Sequence, residues 1–261
     1  MGVLNVTPDS FSDGGKFATL DAAIEHGLRL AAEGADLIDI GGESTRPGAP
    51  AVSEEEELRR VVPVVRQLAR RAGVPVSIDT TKAEVARAAL DAGAEVVNDV
   101  SGLSRDPRLA AAVAESGAAV CLMHMRGTAA DMQSHATYSD LLAEVRDELR
   151  QAIMRARTAG IRQDRIALDP GLGFAKTAEH NLLLLRRLRE LTELGRPLVV
   201  GASRKSFLGK LSGKPAAERL VGSVAAAVIA ALHGAAIVRV HDVAATREAL
   251  AVVDAVRTSS S

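Results

Sequence analysis

The chain repeats one pattern of hydrophobic and polar positions from its first residues to its last. A short apolar, β-branched run ends in Gly, Asp, Asn or Ser, and a loop and an amphipathic stretch follow. Such runs indicate buried strands, and apolar residues spaced three and four apart indicate helices. The pattern predicts strands at 3–6, 37–40, 76–78, 95–98, 119–123, 165–168, 198–200 and 236–240. It predicts helices at about 20–33, 54–72, 82–92, 106–116, 138–158, 178–193, 216–233 and 243–257.

Glycines mark the ends of most predicted helices, where a left-handed C-cap favours them. The glycines in this position are Gly34, Gly73, Gly93, Gly117, Gly160, Gly195 and Gly234. Eight strand–helix units of about 30 residues each are typical of a (β/α)8 TIM barrel. We therefore predict one α/β domain over 1–261, with a disordered tail from about 258. The alternative, an open doubly wound sheet, usually has a glycine-rich turn after its first strand, which this chain lacks.

Composition narrows the class of function. The 32 Lys and Arg residues and 33 Asp and Glu residues give a net charge of -1, which provides no bulk attraction to nucleic acid or an anionic membrane. An aromatic content of 2%, with no Trp, disfavours a stacking platform for single-stranded nucleic acid. The single Cys excludes a disulfide scaffold. Since no targeting or membrane-spanning segment is visible, we expect a cytoplasmic protein.

Polar residues follow every predicted strand, at the rim where barrel enzymes place their active sites. Asp79, Asn98 and Asp169 come from three different strands, and their carboxylates and amide suit the edge of a nitrogen heterocycle. Cationic and imidazole groups that suit phosphate or diphosphate follow other strands: Arg46, Arg204, Lys205, Arg239 and His241. The residues alone therefore predict a site divided between a heterocycle and an anion.

Several rim residues also have simple structural interpretations. Asp99 and Asp242 fit helix N-caps better than catalysis. Lys205 could be a solvated loop lysine, or it could form a Schiff base as in barrel aldolases. His124 and His241 end strands, yet no third ligand at metal spacing accompanies them.

The loop motifs resemble those of one known family, the dihydropteroate synthases. The resemblance rests on residues 1–15 (MGVLNVTPDSFSDGG), 39–48 (DIGGESTRPG), 77–80 (SIDT), 97–102 (VNDVSG), 122–125 (LMHM), 169–174 (DPGLGF), 201–206 (GASRKS) and 238–243 (VRVHDV). It implies a barrel transferase of folate biosynthesis, assisted by Mg²⁺ and usually a homodimer. That enzyme joins 4-aminobenzoate to 6-hydroxymethyl-7,8-dihydropterin diphosphate and releases 7,8-dihydropteroate and diphosphate. The Ala-rich predicted helix 216–233 is the expected dimer interface.

The resemblance also implies roles for residues at matching positions. The pterin would contact Asp79, Asn98, Met123, Asp169, Phe174, Gly201 and Lys205. The diphosphate would contact Asn5, Arg239 and His241, and Asn5 would also lie near the Mg²⁺. The 4-aminobenzoate, with which sulfonamides compete, would lie near Thr45, Pro47, Phe174 and Ser206. Two mobile loops that close over the substrates would carry Asp9, Phe11 and Arg46.

The implied chemistry needs stabilised charge rather than a strong base. Loss of diphosphate leaves a cationic methylene on the pterin, and the attacking arylamine is already neutral at pH 7. We expect Asp79 to stabilise the cation, and we expect the leaving diphosphate to be held by Asn5, Arg239, His241 and Mg²⁺. On this hypothesis the catalytic residues are Asp79, Lys205, Arg239 and His241.

Two other functions remain open from the sequence. The folate-binding domain of a corrinoid methyltransferase shares the barrel but has no use for a loop such as Ser44-Thr-Arg-Pro47. A catalytically silent, pterin-binding paralogue would be expected to have lost loop or diphosphate residues, which this chain retains. One departure from the family lies close to the expected pocket, because Ala175 stands where many members have Gly.

Overall fold

The computed structural model describes residues 1–7, 16–45 and 48–259. One sheet of eight strands runs through the molecule, and its spatial order is the order of the chain. The strands are β1 (Gly2–Asn5), β2 (Ile38–Gly41), β3 (Val76–Asp79), β4 (Val96–Asp99), β5 (Ala119–Met123), β6 (Ile166–Asp169), β7 (Leu198–Val200) and β8 (Ala235–Val238). Every predicted strand is present, with its ends within two residues of the predicted ones.

All neighbouring strands are parallel, and the sheet closes on itself. The amide of Val3 donates to the Val240 carbonyl at 2.9 Å, and the amide of Val240 donates to the Met1 carbonyl at 2.9 Å. These two bonds join the chain just after β8 to β1. The predicted (β/α)8 TIM barrel is therefore confirmed, and the open doubly wound sheet is excluded.

Helices follow the strands around the outside of the barrel. They are α1 (Lys16–Ala32), α2 (Glu54–Arg71), α3 (Ala83–Asp91), α4 (Pro107–Ser116), α5 (Leu141–Thr158), α6 (Ala178–Arg186), α7 (Ser206–Ser212), α8 (Leu220–Leu232) and α9 (Val243–Thr258). The seven glycines predicted to end helices all have positive φ, as a left-handed cap requires. Within the described ranges, none of the helices has the length and apolar character that crossing a membrane demands.

Two predictions about helices and one about disorder need correction. Helix α7 lies in a segment for which no helix was predicted. The predicted helix 178–193 is α6 followed by a separate 3-10 segment, Leu188–Leu194. The predicted disorder from residue 258 is wrong for Thr258, which ends α9 and whose Oγ1 donates to the Asp254 carbonyl at 2.9 Å. Ser260 and Ser261 lie outside the described residues.

Alternation along the strands separates an apolar outer face from a polar interior. On β2, Ile38 and Ile40 belong to the aliphatic core between sheet and helices. Successive side chains of a strand point to opposite faces, so Asp39 and Gly41 face the barrel interior. On β3 the same rule puts Ile78 in the core and Asp79 inside. The barrel interior therefore carries polar groups towards the C-terminal ends of its strands.

Candidate active site

One layer of interior residues comes from adjacent strands at the same height. Asn5 pairs in register with Gly41, Gly41 with Asp79, and Asp79 with Asn98. Across the barrel, Met123 on β5 pairs with Asp169 on β6. Residues that the sequence scatters over 165 positions are thus brought to one end of the barrel. The register brings Asp79, Asn98, Met123 and Asp169 from four strands to the C-terminal end of the barrel.

The guanidinium of Arg239 lies at the centre of this layer. Its Nη2 donates to Asp79 Oδ2 at 2.8 Å, and its Nε donates to Asp39 Oδ2 at 2.6 Å. The same Asp39 oxygen accepts a bond from Asn98 Nδ2 at 3.0 Å. Asp39, Asp79 and Asn98 are all buried. A single network thus orients three predicted site residues, and Asp39 is a member of it that was not predicted.

Burial and the neighbouring charges or hydrogen bonds shift the pKa values of these groups in opposite directions. Burial raises the pKa of Asp79, while the Arg239 guanidinium opposes that rise. Burial also raises the pKa of Asp169, although the amide of Gly171, which donates to Asp169 Oδ1 at 2.7 Å, favours the carboxylate. Burial alone would lower the pKa of Arg239, but Asp39 and Asp79 raise it above its ordinary value. Arg239 therefore stays charged in a setting that would otherwise disfavour a cation.

His241 lies beside Arg239 and is held by one serine. The Ser203 hydroxyl oxygen is 3.2 Å from the His241 amide nitrogen and 3.0 Å from His241 Nδ1. Burial lowers the pKa of His241 to about 3, and the charges of Arg239 and Arg204 contribute. His241 is therefore neutral near pH 7 and can offer a ring N–H to an anion without carrying a charge.

Lys205 and Phe174 meet across two different loops. The ammonium of Lys205 lies 4.0 Å from the centroid of the Phe174 ring, which is a cation–π contact. Phe174 itself is buried, and Ser206 is exposed as the first residue of α7. Lys205 is half-buried, and its side chain packs against this ring instead of extending freely into solvent.

The two predicted N-caps have other roles. Asp99 accepts bonds from the amides of Ser101 and Leu103, so it orders the loop after β4, whereas α4 is capped by Asp106. Asp242 does occupy the N-cap position of α9, but its carboxylate pairs with Arg204 at 2.6 Å instead of capping the helix. Both carboxylates shape loops at the active-site rim.

A buried lysine that sequence reasoning missed supports the loop after β6. Lys176 Nζ donates to the Phe174 carbonyl at 3.0 Å and lies 2.9 Å from His124 Nδ1. On its other side, His124 Nε2 is 3.0 Å from Glu148 Oε2. Burial lowers the pKa of Lys176 to about 7, and burial together with Lys176 lowers the pKa of His124 to about 4. His124 is therefore part of a buried support beneath the loop after β6.

Ala175, the residue before Lys176 in the same loop, is backbone-strained. Ala175 has a φ of 48°, in the left-handed region that favours glycine and costs other residues roughly 1–2 kcal/mol. The hydroxyl of Tyr138 donates to the Ala175 carbonyl at 2.9 Å, and the Arg126 guanidinium lies 4.2 Å from the centroid of the Tyr138 ring. The departure from the family's usual Gly therefore falls at a position that this tyrosine helps to hold.

The charge of Lys176 should make stability depend on pH. Its pKa is about 7 in the folded protein and 10.5 ordinarily, so above pH 7 the unfolded chain holds a proton that the folded chain has released. The free energy of unfolding should therefore rise by about 2 kcal/mol between pH 7 and pH 9 through this group. Urea unfolding of Lys176→Met should lack this rise, whereas Lys210→Met, which alters an exposed lysine, should retain it. Equal pH dependence in both variants would contradict the assignment.

Four of the predicted site residues are not among those that the structure describes. Asp9, Phe11, Arg46 and Pro47 are outside the described residues. Thr45 is described, is half-buried, and lines a cavity together with Asp79. Among residues 1–7, 16–45 and 48–259, the His, Cys, Asp and Glu side chains form no group of three or more that could hold a metal ion.

A closed parallel barrel with a polar, charged layer at the C-terminal ends of its strands defines a (β/α)8-barrel enzyme. The family model described as "Pterin binding enzyme" matches residues 1–241. The chain is 51% identical over 255 residues to the dihydropteroate synthase of Escherichia coli, covering 98% of this chain and 90% of that protein. The chain belongs to the dihydropteroate synthases of the pterin-binding enzyme family.

Solved structures agree in fold and length. A Xanthomonas albilineans dihydropteroate synthase with 4-aminobenzoic acid superposes with a TM-score of 0.94 at 52% identity, covering 100% of this chain and 93% of that one. The enzyme from the same organism in complex with 7,8-dihydropteroate superposes with a TM-score of 0.90 at 48% identity, covering 100% and 94%. The whole barrel described above is therefore shared with enzymes of known ligands.

Proposed function

We propose that the chain condenses 6-hydroxymethyl-7,8-dihydropterin diphosphate with 4-aminobenzoate, giving 7,8-dihydropteroate and diphosphate in folate biosynthesis. The observation that carries this proposal is the interior layer of Asp79, Asn98 and Asp169 beside Arg239. Two carboxyl groups and an amide match the donors and acceptors of a pterin edge. The 4-aminobenzoic acid and 7,8-dihydropteroate bound by the solved relatives support the same reaction.

The carboxylate of Asp79 provides negative charge where the reaction develops positive charge. When the C–O bond to diphosphate breaks, the pterin methylene becomes cationic, and a buried carboxylate stabilises that cation strongly. The Asp79 oxygen is fixed by Arg239, so it needs no reorientation during the reaction. The neutral arylamine nitrogen then forms the new C–N bond and releases one proton. This route requires no nucleophile–base dyad.

Arg239 and His241 are placed to hold the leaving diphosphate. A guanidinium has five N–H donors, and the bonds to Asp39 and Asp79 use two of them. Arg239 can therefore bind phosphate oxygens while it remains in the network. The neutral ring of His241 adds a donor beside it, and Asn5 adds an amide from the end of β1.

Mg²⁺ fits this site as an ion carried with the diphosphate. Asn5 offers one neutral oxygen, which suits a hard cation, and the described carboxylates form no cage of their own. Mg²⁺ is commonly bound by one or two protein oxygens together with substrate phosphates and water. Asn5 would hold it, and the ion would neutralise charge on the diphosphate.

We further propose a homodimer in the cytoplasm, assembled through α8. The exposed side of this helix presents Val221, Ile229 and Leu232, which are 77%, 42% and 43% exposed. Their spacings of eight and three positions are close to whole helical turns, so the three side chains lie on one face of the helix. An uncharged, exposed apolar face of this kind marks an interaction surface. A monomer in sedimentation at micromolar concentration would contradict the dimer.

The function is tested by measuring diphosphate release with each substrate alone and with both together. Release that needs both substrates, needs Mg²⁺ and is abolished by EDTA is the expected result. Asp79→Ala should lower turnover by roughly a hundredfold or more, because it removes the charge that faces the cation. Pterin binding without turnover would indicate a silent paralogue, and near-normal turnover of Asp79→Ala would refute the role of this carboxylate.

A further inference from the structure

Lys82 connects α3 to the neighbouring loop between β2 and α2. It occupies the N-cap position of α3, but its side chain makes no capping bond. Instead its ammonium donates to Glu43 Oε2 at 2.5 Å and to the Val52 carbonyl at 2.8 Å, and it also pairs with Glu57. None of the sequence motifs pointed to this lysine.

The three partners of Lys82 define the two ends of one loop. Glu43 lies two residues after β2, and Val52 lies two residues before α2 begins. Glu57 is in the first turn of α2. One ammonium group therefore joins the segment that leaves β2 to the segment that enters α2. Between these two ends, the amide of Gly48 donates to the Ala129 carbonyl at 2.9 Å.

Glu57 is the buried carboxylate among the partners of Lys82, and we call these contacts of Lys82 the clamp. It is 1% exposed, and its carboxylate pairs with the Lys82 ammonium. It also packs directly beneath Gly42, because a Cβ added at that glycine would lie 3.0 Å from Glu57 Cγ. Burial alone would lower the pKa of Lys82, but the carboxylates of Glu43 and Glu57 raise it. The ammonium therefore stays charged and keeps both carboxylates in place.

The clamped loop reaches the proposed active site through Thr45. Thr45 lies two residues beyond Glu43 and lines a cavity that Asp79 and Thr80 also line. Asp79 belongs to the proposed pterin layer, and Thr45 is the described residue that the family resemblance places near 4-aminobenzoate. A shift of Glu43 would therefore move Thr45 relative to Asp79.

We infer that Lys82 is a positioning residue for the second substrate, holding both ends of the β2–α2 loop so that Thr45 keeps its place beside the pterin layer. The inference rests on the proposed function for the identity of that substrate. The clamp itself does not depend on the proposed function, because its contacts are present in the free protein.

Steady-state kinetics of Lys82→Met separate positioning from general damage. The KM for 4-aminobenzoate should rise at least tenfold, and the KM for the pterin diphosphate should stay within twofold. Lys82→Arg, which keeps a charged donor, should recover most of the difference. Arg87→Met is the matched control, because Arg87 lies on the same helix and pairs with Glu115 away from the loop. Its constants should equal those of the unmodified protein.

Two further measurements keep the inference falsifiable. If Lys82→Met does not fold, Lys82→Met with Glu57→Gln removes the unpaired buried charge and should still show the raised KM for 4-aminobenzoate. Amide hydrogen exchange at Ser44 and Thr45 should be at least tenfold faster in the variant without substrate. Unchanged exchange, or KM values that rise equally for both substrates, would overturn the inference. Absence of turnover in the unmodified protein would overturn only the proposed function, because the exchange rates still test the clamp.

Discussion

Replacing Arg239 with methionine should lower kcat by roughly a thousandfold, the upper range for losing one electrostatic donor at a reacting charge. The change removes the cation between Asp39 and Asp79, at 2.6 and 2.8 Å from their oxygens. It also leaves two buried carboxyl groups without their partner, and breaking a buried pair in this way costs about 3–5 kcal/mol of folding stability. Stopped-time product assays and urea unfolding measure the two effects separately.

The control for Arg239 lies at the opposite end of the barrel. Arg247 pairs with Asp36 at 3.1 Å, and both side chains are more than half exposed. Exposed pairs contribute about 0–1 kcal/mol, so Arg247→Met should be close to the unmodified protein in both assays. If Arg239→Met does not fold, Arg239→Lys keeps the charge but lacks the fork that reaches two carboxylates. Full turnover in either Arg239 variant would refute the role of the guanidinium.

Replacing Gly171 with alanine should abolish binding of the pterin and lower the free energy of unfolding by roughly 2 kcal/mol or more. A Cβ at this position would lie 2.0 Å from the His124 carbonyl oxygen, which belongs to the backbone and cannot swing away. Gly171 also has a φ of 71°, where alanine is strained by about 1 kcal/mol even with space around it. The loop would have to move, and Asp169 would lose the amide that fixes its carboxylate at 2.7 Å.

The Gly195→Ala variant distinguishes the effect of the steric clash at position 171 from the effect of a positive φ alone. Gly195 has nearly the same φ, 66°, but nothing lies within 4 Å of a Cβ built there. It should therefore lose only about 1 kcal/mol and keep its turnover. Calorimetric titration with the pterin and thermal unfolding provide the comparison. Equal losses in the two variants would mean that the Gly171 loop tolerates the added methyl group.

Local pattern was sufficient for the barrel and for the rim of the site. Each apolar strand and each glycine cap is determined by a few consecutive residues, so the sequence alone predicts its place. Both kinds of feature are found where they were predicted. Asp79, Asn98 and Asp169 follow or end such runs, so the barrel topology brings them together without further information. Asp39 could have been found by the same rule, since it lies two positions before Gly41 on β2 and shares its interior face.

Other features depend on contacts that no local pattern encodes. Lys176 looks like a solvated loop residue until the loop after β6 folds back against His124. Helix α7 has little apolar periodicity, and it is stabilised by the burial of Phe207 and Leu208 in the core. The roles suggested for Asp9, Phe11, Arg46 and Pro47 remain predictions, because these residues lie outside the described part of the chain.

The bond from Tyr138 to the Ala175 carbonyl has a spectroscopic consequence. The chain contains no Trp and one Tyr, so emission excited above the absorption of Phe comes from a single ring. That ring lies under the Arg126 guanidinium, and its hydroxyl donates to the carbonyl of Ala175, the residue that follows Phe174. Tyrosine fluorescence is therefore a label-free optical reporter of one loop, read without the background that tryptophan gives in most enzymes.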